Sequence, residues 1–126
     1  MGIFKKPDGD TITLRGVTYN LVFNLNVVEA VIGRFGSVAE MYQKIEEMTE
    51  QEALDVFAWI TVQIINEDVA ERCENGENLQ PMTIERLKRT MSARQLVDVK
   101  RCIIGTVRRD MPTEESEDET EPDGKN

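Results

Sequence analysis

The stretch that most constrains this chain is EALDVFAWITVQIINEDVAERC, residues 52–73. Leu54, Phe57, Ala58, Thr61, Ile64, Ile65 and Val69 recur at helical spacing, while Val56, Trp59, Ile60 and Val62 spread apolar surface well round the cylinder. A helix that is apolar on most sides needs neighbours on most sides. The rest of the chain therefore has to wrap this segment, or a second molecule has to cover part of it. Thr49 followed by Glu52 forms a capping-box pattern at its start and Asn75-Gly76 a stop signal at its end, which predicts a helix over roughly 50–73.

The flanking sequence supplies the wrapping. In TITLRGVTYNLVFN, Ile12 and Leu14, then Val17, Tyr19, Leu21 and Phe23, alternate with mostly polar residues about Gly16, the period and turn signal of a β-hairpin. Asn26 is placed to cap a helix containing Val27, Ala30, Val31 and Phe35, and Gly36 to end it. Ser37 with Glu40 is a second capping box, Thr83 opens a short helix through Leu87 and Met91, and Ser92 caps a last one carrying Leu96, Val99, Ile103 and Val107. Pro112 stops it. The expected fold is α+β and mainly helical, an N-terminal β-hairpin followed by about five helices. The expected organisation is an extension over 1–10, one domain over 11–111, and a disordered acidic tail over 112–126, which holds seven acids, one lysine and no aromatic residue.

At 126 residues, 40% hydrophobic and 31% charged, the chain suits one globular domain. No run approaches the roughly 20 apolar residues of a membrane helix, and MGIFKKPDGD lacks a signal peptide's apolar stretch, so a cytoplasmic location is expected.

Charge is unevenly placed within the net −9: residues 37–78 hold eleven acids against Lys44 and Arg72, whereas residues 83–111 hold eight basic residues against three acids. An acidic middle and a basic end suit attraction between segments or subunits better than a grip on nucleic acid. Arg86, Lys88, Arg89, Arg94, Lys100 and Arg101 form a candidate basic docking face.

The chain has no histidine, which removes the commonest general base and metal ligand. Cys73 and Cys102 have no metal-like spacing and read as free thiols. Glu46-Glu47, and Glu67 with Glu71, read as solvated helix faces rather than acid–base pairs or a cation site. IGRFG has the form of the GxxG backbone-gripping turn of KH domains. Its local explanation is a helix stop followed by a helix cap, and the lysine and hydroxyl of a P-loop are missing. No enzyme activity, metal or cofactor is expected.

The order of features resembles the tail assembly chaperones of long-tailed bacteriophages. The hairpin GVTYNLVFN, the Asn-capped helix ending in RFGS, VAEMY, the long helix ALDVFAWITVQIINEDVAE, the NG turn, and MTIERL leading to MSARQLVDV carry that resemblance over residues 11–111. It implies a non-enzymatic protein of the host cytoplasm that binds the tape-measure protein, keeps it soluble and helps recruit tail-tube subunits. It also implies self-association in some members and a longer frameshifted product sharing this region. A chaperone of this kind needs apolar surface that accepts many helical segments, and Met41, Phe57, Trp59 and Ile60 are the candidates for it. The alternative is a small nucleic-acid-binding or regulatory module using the GxxG turn and the basic last helix.

Overall fold

The computed structural model describes residues 10–110, an antiparallel β-hairpin followed by five helices. The expectations for residues 1–9 and 111–126, the acidic tail included, and for the side chain of Val107, lie outside what is described.

Strands β1 (Thr11–Leu14) and β2 (Val17–Asn20) pair with Ile12 opposite Tyr19 and Leu14 opposite Val17. The two linking residues, Arg15 (φ 51°) and Gly16 (φ 84°), both have positive φ, the condition for the two-residue turn whose twist matches that of the strands. Alternation buries Ile12, Leu14 and Tyr19 on one face and leaves Thr13 and Thr18 on the other, their hydroxyls 2.7 Å apart.

Helix α1 (Leu25–Phe35) begins two residues earlier than its pattern predicts. Asn24 rather than Asn26 is the cap, its Oδ1 accepting the Val27 N–H at 3.2 Å. Two asparagines two residues apart are equivalent as local caps, and both side-chain amides donate to Glu67 Oε1. Gly36 ends α1 at φ 100° with its N–H on the Ile32 carbonyl. Ser37 Oγ then accepts the Glu40 N–H to open α2 (Val38–Glu47), but the Glu40 carboxylate lies over Gly36, so the predicted box is only half made.

Helix α3 (Glu50–Glu74) opens on a complete capping box, with Thr49 and Glu52 each bonding the other's backbone N–H. It is the centre of the molecule. Residues from Val56 to Val69 are buried round most of its circumference, while Leu54, expected in the stripe, is exposed. Polar side chains on α3 fix the neighbours in place. Asp68 accepts from the Asn20 backbone and side-chain amides, both at 3.0 Å, and Arg72 donates to Asp68 and to the Thr18 carbonyl, so β2 is bound along its outer edge. Asn66 clasps the Met82 backbone with both of its amide atoms, at 2.7 and 2.9 Å.

That clasp aims the chain into α4 (Ile84–Thr90), capped by Thr83 and packed through Leu87. Helix α5 (Ala93–Asp110) follows, opened by Ser92 and Gln95, each bonding the other's backbone N–H. It buries Val99 and Ile103, with Leu96 packed beside them. Gln95 also donates to the Thr13 carbonyl on the free edge of β1, and Lys100 Nζ lies 5.2 Å from the centre of the Phe57 ring.

Candidate protein-binding surface

Helix α1 has apolar residues in two adjoining rows. Val27, Val31 and Phe35 form the inner row and are buried against the core. One step round the cylinder, at spacings of three and four, stand Leu25, half-buried Val28 and Ile32. Leu25 is 82% exposed and Ile32 49%. The apolar sector of α1 therefore runs out of the core into solvent, and within α1 the charged residue beside the outer row is Glu29. An outward apolar row on an otherwise packed helix is the form of surface that another helix covers.

The opposite flank of α1 meets α3. Phe35 and Trp59 pack edge to face with centroids 6.3 Å apart, and the Arg34 guanidinium lies 4.6 Å from the Trp59 ring centre and 5.3 Å from that of Phe35. Arg34, the arginine of IGRFG, is thus laid on aromatic rings. Gly33 lies inside α1, so IGRFG is the last turn of a helix and its cap rather than an open glycine loop.

Of the four candidate partner-binding residues, Met41, Phe57 and Ile60 are buried in the core and present no surface in this conformation. Trp59 is half-buried beneath Arg34. A helix apolar all round gives no indication in sequence of which side is covered by its own chain. The outer row of α1 was missed for a related reason: LNVVEAVIGRF also satisfies a single core stripe. The available signal was that Leu25, Val28 and Ile32 repeat the three-and-four spacing beside the inner row.

The candidate basic face is largely engaged internally. Lys88 pairs with Asp55 at 2.8 Å, Arg89 with Glu85 at 3.3 Å, and Arg86 donates to the Pro81 carbonyl, while Lys100 covers Phe57. Arg94 and Arg101 are exposed on α5, the latter 4.0 Å from Asp98.

The remaining groups with chemical potential are dispersed. No set of three metal-ligating side chains occurs among the described residues; Glu67 is occupied by Asn24 and Asn26, and Glu46 and Glu47 point to solvent. Cys73 is exposed, whereas Cys102 borders a cleft of about 160 Å³ between β1 and α5, lined also by Thr11, Thr13, Gln95 and Asp98. Burial, reinforced by the negative charge of Asp10, raises the Cys102 thiol pKa. The cleft is smaller than the few hundred Å³ typical of small-molecule sites. No helix among the described residues is long and apolar enough to cross a membrane.

Comparison with protein-family models, with curated proteins and with solved structures gives no match for this chain.

Proposed function

We propose that this chain is a non-enzymatic tail assembly chaperone of a long-tailed bacteriophage, acting in the host cytoplasm: it binds helical segments of the tape-measure protein, keeps them soluble and helps recruit tail-tube subunits. The observation that carries this reading is the outer row of α1, where Leu25 and Ile32 stand in solvent on either side of half-buried Val28, at the spacing another amphipathic helix needs. The order of elements, hairpin, capped helix, RFGS junction, long apolar helix and two shorter helices, gives further support because it carries the resemblance.

The test is coexpression of the chain with a tape-measure fragment that aggregates alone, followed by size-exclusion chromatography with light scattering. A soluble complex is expected from the wild type, and its loss from the Leu25→Asp/Ile32→Asp variant, whose exposed substitutions leave the core intact. Failure of the wild type to solubilise the fragment overturns the chaperone reading. Solubilisation by the double variant moves the binding surface away from α1.

A further inference from the structure

The outer row of α1 is set among acids. Glu29 stands beside it, one residue after Val28 and three before Ile32, and is exposed. At the N-terminal end, Glu67 Oε1 lies 2.9 Å from the Asn24 amide and 3.1 Å from the Asn26 amide, so the two residues that flank Leu25 hold a carboxylate at this end of the row. Glu71 and Glu74 continue from Glu67 along the exposed face of α3, at spacings of four and three. Across α1–α3, residues 25–74 hold eleven acids and three bases. Two of those bases are engaged: Arg34 lies on the Trp59 and Phe35 rings, on the other flank of α1, and Arg72 pairs with Asp68 and Glu77. The third, Lys44, stands on α2.

We infer that the outer row of α1 takes a cationic amphipathic helix, one whose apolar row seats on Leu25, Val28 and Ile32 and whose flanking Lys or Arg side chains meet Glu29 and Glu67. This inference rests on the outer row being the docking surface and adds the charge of its partner. Apolar contact alone does not choose one amphipathic helix over another, whereas charge at the rim does. A rim carboxylate that meets an ammonium or guanidinium steers the encounter and fixes the register; one that meets a second carboxylate repels.

A second copy is disfavoured as occupant on the same ground. An antiparallel two-fold pairing of α1 with its own copy brings like flanks together and sets Glu29 against Glu29. A parallel pairing gathers both Glu67 carboxylates at one end. A helix with lysine or arginine beside its apolar row meets neither cost, and the net charge of −9 draws it in from a distance.

The test uses the full-length chain and three dye-labelled synthetic peptides of about 20 residues, long enough to form a helix on binding. All three carry the same leucine row at spacings of three and four, flanked by Lys in one, Gln in the second and Glu in the third. Fluorescence anisotropy at about 50 mM and about 300 mM salt reads the affinities, because rim ion pairs are screened over that range. The Lys peptide is expected to bind about tenfold more tightly than the Gln peptide at the lower salt and by a smaller factor at the higher, with the Glu peptide weakest. Glu29→Lys should remove most of that preference, while Glu85→Lys on α4, which changes the net charge equally, should keep it. Leu25→Gln/Ile32→Gln, which leaves the charge unchanged, should abolish binding of all three. Equal affinities for the three peptides overturn the inference and leave the docking role of α1 standing. Equal losses in Glu29→Lys and Glu85→Lys also overturn it, because they mark attraction to the overall charge. Binding of the Lys peptide that survives Leu25→Gln/Ile32→Gln overturns its placement on α1. If the wild type binds none of the peptides, the inference and the docking role of α1 fall together, whereas the chaperone reading falls only with the coexpression test.

Discussion

A carboxylate with only 2% of its surface exposed survives at Asp68 because three donors converge on it: the Asn20 N–H, the Asn20 side-chain amide and the Arg72 guanidinium. The hydrogen bond that Arg72 donates to Asp68 also raises the Arg72 pKa beyond its already high ordinary value. Asp68→Ala would strand the Asn20 N–H and free Arg72 at the junction of hairpin and helix. We predict a loss of roughly 2–4 kcal/mol in urea denaturation, with Asp68→Asn costing less because it keeps one acceptor. Tyr42 is the converse case. Its hydroxyl is buried with no hydrogen-bond partner among the described residues. Burial pushes its phenol up to about 12, against an opposing pull from the positive charge of Arg108. The unfolded phenol titrates near 10, so on raising the pH the unfolded chain loses this proton first. The contribution to stability is constant below about pH 10 and is lost between about pH 10 and 12. Tyr42→Phe should match or exceed the wild type in thermal stability at pH 7, and should lose less between pH 9 and pH 11. Equal losses in the two proteins would show that Tyr42 is not the group responsible.

Among the elements, the two glycines of IGRFG have opposite roles. A side chain at Gly33 would meet open space within a regular helix, whereas one at Gly36 would require a left-handed backbone and would collide with the Glu40 carboxylate. Gly33→Ala should therefore stabilise by up to about 1 kcal/mol, and Gly36→Ala should destabilise by at least about 1 kcal/mol, both read from chemical denaturation midpoints. Equal destabilisation by the two would point to a shared constraint on the pair that helix geometry does not supply. The elements were legible in sequence where the signal is local. Thr49 with Glu52, Thr83, Ser92 and Gly36 all act at the helix ends where their chemistry places them. The start of α1 was not legible, because Asn24 and Asn26 are equivalent as local caps and the apolar spacing does not choose between them. The exposure of Leu54 was hidden likewise: periodicity marks an apolar row but not how far the neighbouring helices reach along it.

For the whole molecule, the two cysteines report how firmly α5 is seated. Cys73 is exposed near the end of α3, its thiol donating weakly to the Leu79 carbonyl, whereas Cys102 is partly buried and borders the cleft between β1 and α5. Thiol-reactive labelling at pH 8 should modify Cys73 at least about tenfold faster than Cys102, and the slow phase should accelerate in Gln95→Ala, which releases α5 from the Thr13 carbonyl. Comparable rates at both thiols would mean that α5 leaves the body of the protein readily. The surface was less legible than the fold for a physical reason. The sequence marks Met41, Phe57 and Ile60 as strongly apolar, but only the packed arrangement shows that they are enclosed while Leu25 and Ile32 stand outside. The hairpin has a further consequence at this scale. A two-stranded sheet has two unpaired margins, and each is a template on which a foreign strand can grow. Here Asp68 and Arg72 occupy the Asn20 N–H and Thr18 carbonyl on one margin, and Gln95 holds the Thr13 carbonyl on the other. An incoming strand must first evict a carboxylate, a guanidinium or an amide, so strand addition at these margins is disfavoured without a third strand.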